Sequence, residues 1–468
     1  MSFVFYDTET TGTNTTFDQI LQFGAIRTDA DLNELDRFEI RCRLLPSVVP
    51  SPGAMRVTGV SVDQLIDPGL PSHYQMICAI KAKLEEWSPA VFIGHNSMTF
   101  DEHLLRQAFF QTLHPPYLTN TNGNCRSDSL RFLQAIAHYE PGTFVVPAND
   151  KGKPSFKLDQ LAPANGFDHS AAHDAMGDVE AMIHMCRIIA ERSDTHWSGF
   201  VRFAQKAAVQ DFMLDEEVFS LSDFYYGKPY SWMVSAIGTS PNNGSEMLVY
   251  NLAIDPSELV DLDEEALARR LASQPKPVRA VRTNACPCVL SYEDAPSQLR
   301  ANAPEFDELI SRVQYIQSEA GLTDRLVAAF LSTREDWEPS VHVEAQIYEG
   351  FSGPADQSLM TQFHRTGWNQ RLQMVPRFAD PRLQILGERL IFQEAPEQLS
   401  PERQAALELE IAHRLMAEQG TVPWLTYPKA IADTDDMLAV AQGSDVSLLH
   451  ELRAFLSEKS ERAAALIA

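Results

Sequence analysis

The stretch Phe3-Val4-Phe5-Tyr6-Asp7-Thr8-Glu9 decides the fold. Four apolar residues make a short buried strand, and two acids follow at a spacing of two. In extended chain that spacing points both carboxylates to one side. Side by side they repel, unless hard cations lie between them, and oxygen ligands are what Mg²⁺ and Mn²⁺ prefer. Taken alone, Asp-x-Glu after an apolar run reads equally as a solvated strand end.

Outward from this strand, apolar runs at 20–27, 38–43 and 90–94 alternate with helical stretches through the first ~190 residues, the pattern of an α/β domain. Its last helix is expected to start near His173-Asp174 and to carry Val179, Met182, Ile183, Cys186 and Ile189 on one stripe. From about 200 to 347 the texture becomes β-like, with runs at 218–222, 230–234, 247–252 and 278–283. The turn signal Ser240-Pro-Asn-Asn-Gly-Ser245 interrupts them, and one inserted helix is expected over 263–272. After Gly350 the chain reads as helical, with Ser400 as N-cap, Pro401 in the first position, the stripe Ala405, Leu409, Ala412, Met416, and Gly420 as terminator. The expected division is 1–193, 194–347 and 348–468.

Composition sets the bounds. The chain has 468 residues, 44% of them hydrophobic, which excludes a disordered protein and suits two or three domains. There is no basic leader and no apolar run near the ~20 residues of a membrane span, so the expectation is a cytoplasmic protein. Six scattered cysteines, Cys42, Cys78, Cys125, Cys186, Cys286 and Cys288, read as reduced thiols, and Cys286-Pro-Cys288 lacks the spacing of a zinc pair. With 38 Lys+Arg against 64 Asp+Glu the net charge is −26, which by itself argues against a polyanionic partner.

Two further acids argue the other way. In Phe92-Ile-Gly-His95-Asn96-Ser-Met-Thr-Phe100-Asp101 a strand feeds a short loop and then a helical stretch, which puts Asp101 at or near a helix start. In His173-Asp-Ala-Met-Gly-Asp178 a fourth acid falls in the first turns of the last helix. His173 precedes it by more than one helical turn and is expected in the entry loop.

Asp7, Glu9, Asp101, His173 and Asp178 resemble, in order and context, the signature of the DEDDh exonucleases, whose fold is ribonuclease H-like. Gly94-His95-Asn96-x-x-x-Phe100-Asp101 and His173-x-x-x-x-Asp178 fit the second and third motifs. Arg56-Val-Thr-Gly59-Val resembles a stretch of the proofreading-type members. The likeness extends to the exodeoxyribonuclease I branch through Lys153-Pro-Ser-Phe-Lys157-Leu-x-x-Leu161, Ala164-Asn-Gly166, Asn284-Ala-Cys286-Pro287 and 343–351, the latter two resembling its SH3-like and C-terminal helical domains. Agreement is clear in the first domain and patchier after 240.

The resemblance implies 3′-to-5′ hydrolysis of single-stranded DNA to 5′-mononucleotides, in DNA repair and recombination, with two Mg²⁺ ions and Mn²⁺ as a substitute. It makes Asp7 the bridging ligand, completed by Glu9, Asp101 and Asp178, with His173 as general base. It also implies substrate contacts at Glu9, Arg126 and Lys157, and a partner, the acidic C-terminal tail of single-stranded DNA-binding protein. A monomer is the default. An RNA-trimming or proofreading exonuclease is the alternative within the superfamily. A catalytically silent nucleic-acid-binding scaffold is another, expected to have lost ligands that are all present here.

A polyanion needs local positive charge whatever the total. Lys151, Lys153 and Lys157 form one basic stretch, with Arg126 and Arg131 upstream. Arg269, Arg270, Lys276, Arg279 and Arg282 form a second, free of acids over 266–282. Each is equally an ordinary solvated face. Phe224-Tyr225-Tyr226, with Tyr230 and Trp232, would either stack on unpaired bases or fill the core of a small β domain.

Overall fold

The computed structural model describes residues 2–168, 174–334, 338–443 and 445–468. Five strands form the first sheet: β1 (Phe3–Thr10), β2 (Ile20–Thr28), β3 (Glu34–Arg41), β4 (Val91–Gly94) and β5 (Cys125–Asp128), in the order β3-β2-β1-β4-β5. The first three are antiparallel, whereas β4 runs parallel to β1 and β5 parallel to β4. The arrangement agrees with the ribonuclease H-like expectation.

Strand alternation divides the core. Phe3 and Phe5 face a layer with Val179, Met182, Ile183 and Cys186 of the helix Ala175–Arg192. Val4 and Tyr6 face the opposite layer, with Ile77, Ile80 and Leu84 of the helix His73–Trp87 and Leu104, Leu105 and Ala108 of the helix Asp101–Gln111. β1 is thus buried on both sides, and its apolar run of four is the visible sign of that. The strand runs further than four apolar residues announce: Asp7 and Glu9 lie within it, not after it.

A second sheet holds β6 (Phe219–Tyr225), β7 (Lys228–Thr239), β8 (Glu246–Asn251), β9 (Val278–Arg282) and β10 (Cys288–Ser291), in the order β10-β6-β7-β8-β9 and antiparallel throughout. The inserted helix is present as Glu264–Ala272, its N-cap Asp263 accepting from the Ala266 amide. β10 and the helices Phe306–Ser318 and Leu322–Ser332 are additions to the sequence reading. Leu309, Val313 and Leu326 of these helices close over Leu248, Tyr250 and Val278.

The helical region after 350 packs on the first domain, with Tyr74, Phe110 and Leu113 sharing a core with Phe363, Leu386 and Leu390. Ser400 caps the helix Pro401–Met416 as expected, but that helix ends four residues before Gly420. The seam contains a stacked pair, His114 and His364, with ring centroids 3.8 Å apart. His364 Nε2–H donates to the Leu113 carbonyl (2.8 Å), which leaves Nδ1 to accept from the Tyr74 hydroxyl (2.8 Å). Arg371 in turn donates to that hydroxyl. All six cysteines are free, and no helix among the described residues is long and apolar enough to cross a membrane.

Candidate active site

The four acids converge because of where their elements end. Carboxylate oxygens of Asp7, Glu9 and Asp178 lie within 4.8 Å of one another. β4 lies beside β1 in parallel, so the loop leaving β4 returns Asp101 to the same end of the sheet. There Thr8, between the two acids of β1, donates to Asp101 Oδ1 at 2.5 Å. Asp178 arrives from the first turn of Ala175–Arg192. That helix seats against Gly24, the residue paired with Asp7 across β1 and β2.

The helix start is fixed by Asp174. Its side chain caps Met176 N, accepts from Gln22 Nε2 (3.0 Å), and pairs with Arg41 at 2.5 Å. Sequence reading treated Asp174 only as a neighbour of His173. Its partners lie on β2 and β3, more than 130 residues away, and no local signal names them. His173 itself falls outside the described residues.

Burial dominates the electrostatics, and crowding adds to it. Burial, and then the charges of Asp101, Asp178, Glu9 and Asp174, hold the Asp7 carboxyl well above the usual carboxylate range. Burial pushes Glu9 up to about 8, with Asp178, Asp101 and Asp174 adding and Arg41 opposing. Burial lifts Asp101 to about 7 against the lowering effect of the Thr8 hydrogen bond. A set of carboxylates that cannot all carry charge together, and offers only oxygen, fits hard divalent cations.

The rim is held by a second histidine, one that the second motif contains without a role assigned to it. His95 bonds Ser129 Oγ (3.0 Å) and the Phe156 carbonyl (2.9 Å), tying the segment before Lys157 to the loop before Asp101. Asp128 fixes the same loop by accepting from Asn96 N and Met98 N. Lys157 is exposed at this rim, as are Lys151 and Lys153 in a turn whose amides bond Asn149 Oδ1.

Arg126 departs from its expected role as a substrate contact. It is 5% exposed, and its guanidinium is engaged by Glu102 (3.0 Å) and the Asn284 carbonyl (3.3 Å). Glu102 also accepts from Tyr6 (2.8 Å) and Thr119 (2.9 Å), so Arg126 neutralises a buried carboxylate beneath the site and presents nothing to a ligand.

The second basic stretch splits in two. Arg279 lies 3.5 Å over the Trp232 ring, and with Arg282, Arg131 and Tyr225 it lines a cleft of about 280 Å³ that reaches Met98 and Thr99, just before Asp101. Arg269 and Arg270 do not join it. Their helix buries Leu267 and Leu271 on its inner face, Arg269 pairs with Glu265, and Arg270 donates to the Pro275 carbonyl. The acid-free window 266–282 stopped one residue short of the acid that pairs with Arg269. Tyr225, Tyr226 and Tyr230 are exposed, whereas Phe224 is half-buried and Trp232 packs against the core of the second sheet, so the aromatic run divides between surface and core.

Two family descriptions match this chain: exonuclease over residues 4–185 and exonuclease I C-terminal domain over 341–459. Exodeoxyribonuclease I of Escherichia coli is 30% identical over 379 residues, covering 77% of this chain and 78% of that protein. The enzyme of Haemophilus influenzae is 27% identical over 379 residues, covering 77% and 79%. Among solved structures, exonuclease I of Methylocaldum szegediense superposes with a TM-score of 0.84 at 26% identity, covering 98% of this chain and 99% of that one. Escherichia coli exonuclease I in complex with a dA16 oligonucleotide gives a TM-score of 0.84 at 24% identity, again over 98% and 99%.

Proposed function

The chain belongs to the exodeoxyribonuclease I family, and from that premise we propose how its own residues carry out the hydrolysis of single-stranded DNA from the 3′ end. The observation that carries the reading is the convergence of Asp7, Glu9 and Asp178 within 4.8 Å, with Asp101 anchored beside them by Thr8. Its organisation is 1–193 as exonuclease domain, 194–347 as SH3-like domain and 348–468 as helical domain.

Asp7, Glu9, Asp101 and Asp178 would hold two Mg²⁺ ions, which when bound would supply an activated water and stabilise the leaving oxygen. Thr8 holds Asp101 and Gly24 admits the helix that brings Asp178, so the ligand set is preorganised by packing. His173 takes the proton of the attacking water. Lys157, and the cleft of Arg131, Arg279, Arg282 and Tyr225, follow the strand on its 5′ side. This local basic lining reconciles a polyanionic substrate with a net charge of −26. The protein acts as a cytoplasmic monomer in DNA repair and docks the acidic tail of single-stranded DNA-binding protein.

The test is a time course on 5′-labelled single-stranded DNA with Mg²⁺, beside EDTA, duplex, matched RNA and Asp7→Ala. Progressive shortening of the single strand, lost with EDTA and with Asp7→Ala, is the expected result. Trimming of RNA alone, or DNA degradation by Asp7→Ala at the wild-type rate, overturns the reading.

A further inference from the structure

β6 and β7 are joined by a two-residue turn, since Tyr225 pairs with Lys228 across the hairpin. Both turn residues are left-handed, Tyr226 at φ 54° and Gly227 at φ 72°. Such turns select Asn, Asp or Gly at the first position, because an L side chain crowds the following carbonyl there and small polar residues offset this by local hydrogen bonds. Tyrosine has neither advantage.

Nor does packing explain it. Tyr226 is fully exposed, and among the described residues no ring or cation lies on it. Its neighbours differ: Tyr225 donates to Asp223 (2.6 Å) and meets the edge of Tyr230 at 5.6 Å. A large aromatic side chain in an unfavourable backbone conformation, with no partner in the fold, signals a contact made elsewhere.

Position narrows that contact. A Cβ on Gly227 would come within 3.8 Å of the Pro154 carbonyl, so the hairpin tip meets the turn that carries Lys151 and Lys153. The body of the hairpin, through Tyr225 and Trp232, lines the cleft that ends at Thr99, two residues from Asp101. The tip therefore overhangs the path from the catalytic acids, between lysines on one side and Arg279 on the other.

We propose that Tyr226 is a specificity residue, which stacks on an unpaired base of the strand on the 5′ side of the scissile bond and so favours single strands over duplex. The proposal rests on the exonuclease reading above. A paired base presents its faces to its stacked neighbours, whereas any unpaired base offers a free one irrespective of sequence.

Tyr226→Asn suits the turn and is expected to melt at or above the wild-type temperature, so a loss of binding cannot come from unfolding. In EDTA, with a fluorescein-labelled single-stranded dT oligonucleotide at fixed salt, Tyr226→Asn is expected to bind about tenfold more weakly, and Tyr226→Trp to bind as wild type. With Mg²⁺, KM for the single strand rises by a similar factor while kcat at saturation stays. A 2-aminopurine base placed in the strand is expected to be quenched by wild type and Trp but not by Asn. Wild-type affinity and KM in Tyr226→Asn overturn the proposal. A wild-type protein that binds the oligonucleotide but never shortens it sinks the exonuclease reading alone, and one that binds no single strand sinks both.

Discussion

Gly24 and Met176 touch so closely that a methyl group on Gly24 would stand 2.9 Å from the Met176 amide nitrogen and 2.9 Å from the Ala175 carbonyl carbon. Backbone, not a flexible side chain, fills the space beside Gly24, two residues before Asp178. Gly24→Ala is therefore expected to displace the helix start and move Asp178 relative to Asp7. A shift of this kind costs on the order of 10- to 100-fold in kcat. Steady-state rates on single-stranded DNA, with circular dichroism to confirm the fold, check it, and an unchanged kcat refutes it.

Arg126 separates a structural role from a substrate-binding one. Replacing it by Ala removes one of the two arginines, with Arg106 the other, that pair with buried Glu102, a loss of about 1–3 kcal/mol in stability. At temperatures where the variant is folded, KM for the oligonucleotide is expected to stay at the wild-type value. Urea unfolding and KM, measured on the same preparation, decide the matter.

Arg279 and Arg269 make a matched pair of controls. Arg279→Ala removes a cation from the cleft beside Trp232 and is expected to weaken single-strand binding, lowering the slope of log affinity against log salt by about 0.7. Arg269→Ala removes a surface charge paired with Glu265 and is expected to change neither. Salt titrations of both variants provide the measurement, and equal effects contradict the assignment of the cleft.

The seam between the nuclease and helical regions is expected to be acid-sensitive. Burial holds His114 at about 2 and His364 at about 4, against 6.5 in an open chain. Because the folded values are depressed, this contribution to stability is complete above about 6.5 and is lost as the pH falls toward 4. His114→Phe keeps a ring against His364 and removes one titration, so its melting temperature is expected to fall less steeply than wild type between pH 6.5 and 4. Parallel curves for the two proteins would rule this out.

Local chemistry was legible in the sequence. The period-two spacing of Asp7 and Glu9, the place of Asp178 at the start of a helix and the apolar stripe from Val179 to Ile189 are properties of short windows, and each is present in the structure. β10, and the two helices that close over the second sheet, were not legible, because four residues such as Cys288–Ser291 carry too little pattern to separate strand from loop.

What the sequence by itself determined was which oxygen-bearing side chains stand at the short spacings that suit metal ligands, since those are set by residue type along the chain. Tertiary structure alone decided which charges are available. Arg126 and Arg279 read alike along the chain, yet one is spent on the buried carboxylate of Glu102 and the other lies open in the cleft on Trp232. Free or neutralised is a property of what packs alongside, and for Arg126 the nearest acid comes from a helix 24 residues earlier, brought there by the parallel pairing of β4 and β5.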